Sequence, residues 1–220
     1  MVWTPKRAIQ AKCDGILGEE RVCGIFSTLS WDVGEWGQFL RMSPEKDVID
    51  VVNALVRSKK IISLWDEREY IFSAKEIFLC GVSFGGTAVL LAANHPKVKK
   101  VIAISPVTDW RVESKIEKLS WMKEALRESF GEAYRYKSAD WDKLARGGFF
   151  NPIEKVKELP GKKIFILHAE DDLSVPVRTV KAFVKKTRST FWLRKRGGHF
   201  SLAETTRLRT YRRLKKFLAL

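Results

Sequence analysis

Apolar and polar positions follow two rhythms along this chain. Short apolar runs recur at Val22 to Ser30, Ile77 to Cys80, Val101 to Ser105, Ile164 to His168 and Thr190 to Leu193. Runs of that length, bounded by turn residues, read as buried strands. Helical patterns lie between them. Ser43-Pro44 opens one, with Val48, Val51, Val52, Leu55 and Val56 spaced to share a face. Gly85 to Asn94 reads as a helix of small and apolar residues, closed by His95-Pro96. Pro176 to Thr187 and roughly Leu202 to Leu218 read as two more. Thr4-Pro5 has the cap residue and first-turn proline of a helix start, so a helix is expected from there to about Leu17, stopping at Gly18. Strands alternating with helices argue for an α/β fold, a mainly parallel sheet with helices on both faces.

Residues 107–150 break this alternation. Trp110, Trp121, Phe130, Tyr134, Tyr136, Trp141, Phe149 and Phe150 stand there among helical stretches. The segment reads as a small helical, aromatic-rich insert above the sheet edge. Its aromatics either roof a pocket or simply pack.

Composition narrows the picture. The 220 residues are 45% apolar, enough for a sizeable core, and carry 41 Lys and Arg against 26 acids, a net charge of +15. The cations are densest near the C-terminus, at Arg207, Arg209, Arg212, Arg213, Lys215 and Lys216, in a helical pattern. A solvated helix face is the preferred reading. No zinc finger, helix-turn-helix or aromatic-interleaved RNA motif accompanies the charge, so a nucleic-acid partner is not expected. Cys13, Cys23 and Cys80 are odd in number and lack metal-ligand spacing, which suits reduced, buried thiols. The longest apolar run, Ala88 to Ala93, is far too short to span a bilayer. The first residues lack a signal-peptide core, and a cytoplasmic location without a membrane partner is the expectation. Oligomeric state is not legible.

Three segments carry chemistry. Gly81-Val82-Ser83-Phe84-Gly85-Gly86 follows an apolar strand and precedes a helix. A sharp strand-to-helix turn would expose the Ser83 hydroxyl as a nucleophile. Gly81 and Gly85 are expected to be small because strand and helix crowd there, and Gly86 to let the helix approach. The Phe84 N–H, at the helix start, is the natural first oxyanion donor. After the next-to-last strand, Asp171 and Asp172 both stand where an acid could hold a histidine. Both also fit as loop or helix-capping residues. Gly197-Gly198-His199-Phe200 supplies an imidazole on a loop after the last strand. Of the other histidines, His95 ends a helix and His168 reads as a buried core residue. The order serine, acid, histidine is the one expected of α/β-hydrolases.

On these segments, together with Ser105-Pro106-Val107-Thr108-Asp109-Trp110, the chain resembles the α/β-hydrolase superfamily, and within it the prolyl oligopeptidase and dienelactone hydrolase relatives. The resemblance covers roughly residues 22 to 218. It implies a single α/β-hydrolase domain over 1–220, with 107–150 as a cap-like insert. In such families the acid follows His-Gly, two residues, Asp, two residues, Val-Pro. That pattern selects Asp172, leaves Asp171 as the alternative acid, and finds Ala169 where glycine is usual. The implied activity is a Ser83-His199-Asp172 hydrolase of carboxylic esters or amides, with no cofactor and no metal. Its substrate would be a small ester or short peptide. An esterase is slightly favoured over a prolyl oligopeptidase-type peptidase, since no propeller domain is encoded here. A non-catalytic hydrolase fold that binds a partner is the alternative from another class. Trp31-Asp32-Val33-Gly34-Glu35-Trp36-Gly37 resembles a loop after the family's fourth strand. The N-terminal strands therefore read as missing, in a shortened version of the family, or as reduced in form, and the second oxyanion donor has no assigned residue.

Overall fold

The computed structural model describes residues 9–12, 24–27, 38–58, 60–62, 67–71, 76–131 and 135–219. Its centre is a four-stranded parallel sheet of order β5-β6-β7-β8, built from β5 (Ile77–Val82), β6 (Val98–Ile104), β7 (Ile164–Ala169) and β8 (Thr190–Arg194). The register aligns Gly81 with Ala103, Ala103 with Ile166, and Ile166 with Phe191.

The side-chain alternation of a strand explains how both faces are filled. On β6 and β7, Val101, Ala103, Ile164 and Ile166 join one core, while Ile102, Ile104, Phe165 and Leu167 join another. The first core is covered by α1 (Glu45–Arg57), α2 (Ser83–Leu91) and α5 (Val177–Thr187), through Val52, Val89, Leu90, Val180 and Phe183. The second is covered by α6 (Leu208–Leu218), through Leu214 and Leu218. Helices therefore cover both faces of the sheet, as the sequence pattern implied.

Several boundaries differ from expectation. The helix expected from Thr4 is not formed where the chain is described: Ile9–Lys12 is a strand, β1, paired antiparallel with β2 (Gly24–Ser27). Cross-strand pairing there wins over a cap-like start signal. A second antiparallel pair, β3 (Lys60–Ile62) with β4 (Glu69–Ile71), was not expected at all. The loop at 31–37 and residues Cys13 and Cys23 lie outside the described residues. The last helix starts at Leu208 rather than Leu202, because Ser201 and Arg207 are extended and Leu202–Thr206 makes a 3-10 turn. Cys80, expected to be buried, is exposed on β5, which among the described residues is an outer strand of the parallel sheet.

The segment 107–150 contains α3 (Leu119–Phe130) and α4 (Ser138–Ala145). Trp110, Trp141 and Phe150 are buried and pack with Phe39, Leu40 and Ala88. Trp121 and Phe130 stay exposed. On α6, Arg213 and Arg209 lie 4.8 Å and 5.8 Å from the Trp192 ring centre, so part of the basic face is engaged in packing. Among the described residues no helix is long and apolar enough to cross a membrane.

Candidate active site

The site lies at the C-terminal ends of the parallel strands, where loops of such sheets converge. Ser83 follows β5 directly and is the first residue of α2, with φ +52°. That left-handed conformation is costly for a residue with a Cβ. It is held by close approach on either side. A Cβ on Gly81 would come within 2.3 Å of the Gly85 carbonyl oxygen, and one on Gly86 would meet Pro106 at 3.0 Å. Gly85 departs from expectation: nothing lies within 4 Å of a Cβ placed there. The crowding is between the Gly81 Cα and the Gly85 backbone, so of Gly81 and Gly85 only Gly81 is sterically forced. Gly81→Ala is expected to destabilise the fold by about 3 kcal/mol, and Gly85→Ala by far less. Chemical denaturation of the two variants checks this.

Phe84 is the second residue of α2, and its ring packs at 4.8 Å on Phe150, 5.5 Å on Phe39 and 5.7 Å on Trp110. The aromatic insert is thereby pinned to the residue next to Ser83.

The loop after β7 carries the two acids, and they do different things. Asp172 is buried. Its Oδ2 lies 2.9 Å from His199 Nδ1, and its Oδ1 accepts from the N–H groups of Ser174 and Val175, both at 2.9 Å. Asp171 is exposed. It accepts from the N–H groups of Gly198 at 2.8 Å and Gly197 at 3.2 Å, tying down the loop that carries the histidine. Glycine is required in that loop, since Gly197 and Gly198 have φ of +147° and +60°.

Three residues contribute that the sequence reading did not single out for the site. Ser105 directly follows β6 with φ +45°, is fully buried, and its Oγ accepts from the Phe200 N–H at 3.1 Å. Glu117, from the insert, accepts from Ser174 Oγ at 2.8 Å. His168 is fully buried, as expected of a core residue, yet its Nε2 stands 3.6 Å from Asp172 Oδ2. Its place four residues before Asp172 was the available signal. His95 ends its helix as expected, and its ring meets Asn53 Oδ1 at 3.2 Å.

The electrostatics follow from these contacts. The hydrogen bond to Asp172 holds the His199 imidazole above its ordinary range, against partial burial, and the charges of Asp172 and Glu117 add to the rise. Burial pushes the Asp172 carboxyl up, but hydrogen bonds from His199 and the Val175 N–H outweigh it and hold it low. The pair therefore stabilises the fold most between the ordinary, unfolded-state values of the carboxylate and the imidazole. The Asp172 contribution is lost as pH falls through its lowered value, and that of His199 as pH rises through its raised value. Glu117→Gln is expected to lower the His199 value, moving the acidic limb of any His199-dependent activity to lower pH. A pH–rate profile of the variant beside wild type checks this.

No hydrogen bond joins Ser83 to His199 among the described residues. Such contacts are often loose before substrate binds. Two surface depressions, about 500 Å³ along Leu208–Arg213 and about 450 Å³ between α3 and α4, touch none of Ser83, Asp172 or His199. No cluster of His, Cys, Asp or Glu suited to a metal occurs among the described residues.

A parallel sheet covered on both faces, with a strained serine turn after one strand, defines an α/β-hydrolase. The model of the prolyl oligopeptidase family matches residues 46–219, and the chain belongs to that family of serine hydrolases. Similar solved structures include an alpha/beta hydrolase, GrgF, from Penicillium, at 15% identity and TM-score 0.58, covering 91% of this chain and 81% of that one. A lipase-esterase related protein from Clostridium acetobutylicum is similar at 21% identity and TM-score 0.54, covering 88% and 82%. The acylaminoacyl peptidase of Pyrococcus horikoshii is similar at 14% identity and TM-score 0.55, covering 89% of this chain but 30% of that one. The chain thus spans under a third of that peptidase. No curated protein sequence matches.

Proposed function

We propose that the protein hydrolyses carboxylic esters by two-step acyl transfer, with Ser83 as nucleophile, His199 as base and Asp172 as acid. The observation that carries this reading is the 2.9 Å contact of His199 Nδ1 with Asp172 Oδ2, in a fold where Ser83 occupies the left-handed turn after β5. His199 Nε2 accepts the Ser83 proton as Oγ attacks the carbonyl carbon. The Phe84 N–H, in the first turn of α2, donates to the oxyanion. His199 then returns the proton to the leaving alcohol. Water repeats the sequence on the acyl-enzyme, releasing the acid and freeing Ser83. Asp172 stays ionised and holds Nδ1–H in place throughout.

Esters are placed ahead of peptides on chemical grounds. An alkoxide leaves more readily than an amine, so an ester demands less of an oxyanion hole in which one donor, Phe84, is named. The test pairs p-nitrophenyl acetate with an aminoacyl-naphthylamide, and adds a fluorophosphonate whose site of attachment is mapped by mass. Label on Ser83 with turnover of the acetate supports the reading. Turnover of the naphthylamide alone reassigns the substrate to peptides. A non-catalytic binding fold draws support from the absent Ser83–His199 hydrogen bond, and wild-type protein that takes up no label decides for it.

A further inference from the structure

His168 sits in β7, paired with Leu193 of β8, and its side chain is fully buried. Its Nε2 lies 3.0 Å from the Val175 carbonyl oxygen. A carbonyl only accepts, so the hydrogen must be on Nε2, and in the neutral ring Nδ1 is then a bare acceptor. Nδ1 is buried and has no hydrogen-bond partner. An orphaned acceptor in a core weakens the fold, and an apolar residue would suit a purely structural position better. The histidine is therefore best explained by what Nε2–H does. Val175, whose carbonyl it holds, gives its own N–H to Asp172 Oδ1 at 2.9 Å. The same Nε2 faces Asp172 Oδ2 at 3.6 Å, on the oxygen that meets His199.

We propose that His168 is a positioning residue of the catalytic site: through its Nε2–H it clamps the Val175 backbone, and through that residue's own N–H it fixes Asp172 against His199. The proposal rests on the hydrolase reading above. Its logic is one of charge as well as place. A second cation beside Asp172 would compete with His199 for the same carboxylate. Burial holds His168 below its ordinary value, and the charge on His199 lowers it too, against the Asp172 charge and the hydrogen bond to Val175, which both raise it. Asp172 and His199 are the charged groups whose influence on His168 is resolved. One imidazole can then titrate while the other holds still.

The experiment uses the full chain with nitrogen-15 histidine. In wild type, His168 is expected to keep the Nε2–H form throughout the titration of His199, which shows a downfield Nδ1–H proton. His168→Leu is expected to lose roughly 10- to 100-fold in kcat on p-nitrophenyl acetate, with KM unchanged and the downfield His199 proton lost. His168→Gln, whose side-chain N–H reaches the same carbonyl, is expected to restore both. A proton on His168 Nδ1, or titration of His168 with His199, overturns the proposal. So does a Leu variant with wild-type kcat, or one that loses kcat with the His199 proton unmoved. Should the Leu variant not fold, a folded Gln variant that loses kcat and the His199 proton overturns it. If wild type takes up no fluorophosphonate, the hydrolase reading fails, and the His168 tautomer and His199 proton still report on the clamp.

Discussion

Replacing Ser83 by alanine is expected to lower ester turnover roughly 10⁵- to 10⁶-fold and to abolish fluorophosphonate labelling, with the fold intact. The fold survives because Ser83 is only partly buried and the N-cap position of α2 is Val82, so the helix start does not depend on the Ser83 hydroxyl. The backbone gives a second reading of the same position. Ser83 is held at φ +52°, a region where a Cβ costs about 1 kcal/mol or more. Ser83→Gly is expected to be equally inactive and more stable than Ser83→Ala by about 1 kcal/mol, measured by denaturant midpoint. The gain of glycine over alanine reports the left-handed strain at this position, separately from the loss of chemistry that both variants share. Alanine variants with near wild-type turnover would put the nucleophile elsewhere.

How much of this was legible in the sequence depends on the kind of contact. The parallel sheet was legible because Ile164 to His168 and Val101 to Ser105 are apolar at every position or nearly so, as strands buried on both faces must be. The short antiparallel pairs β1–β2 and β3–β4 were not, since three or four residues carry too little periodicity to outvote a cap signal such as Thr4-Pro5. The serine turn was readable from Gly81, whose smallness is forced by the Gly85 carbonyl, whereas Gly85 itself looks necessary only by spacing. The acids could not be separated by local reading. Asp171 and Asp172 are neighbours in one loop, and burial sends one side chain inward to His199 and the other outward to the Gly197 and Gly198 amides. The supports from Ser105 and Glu117 were beyond reach. They join residues 95 and 57 positions apart, from segments with no shared pattern.

The division of labour between the two acids makes Asp172→Asn the sharper experiment. The two oxygens of Asp172 face different partners: Oδ1 takes the N–H groups of Ser174 and Val175, and Oδ2 takes His199 Nδ1. An asparagine must choose. Two backbone donors outvote one ring nitrogen, so the amide oxygen turns to Ser174 and Val175 and the NH₂ turns to His199. Nδ1 must then accept, the ring proton moves to Nε2, and His199 can no longer take the Ser83 proton. A fall of about 10⁴-fold in kcat is expected, with KM little changed. Whatever activity remains should titrate lower, because the ring has lost both the hydrogen bond and the charge that raised it. Asp171→Asn is the matched control. Its amide oxygen can still accept from Gly198, so the loop is loosened rather than mis-protonated, and the loss should be far smaller. The reverse order of effects would make Asp171 the acid and would require the loop after β7 to turn over in solution.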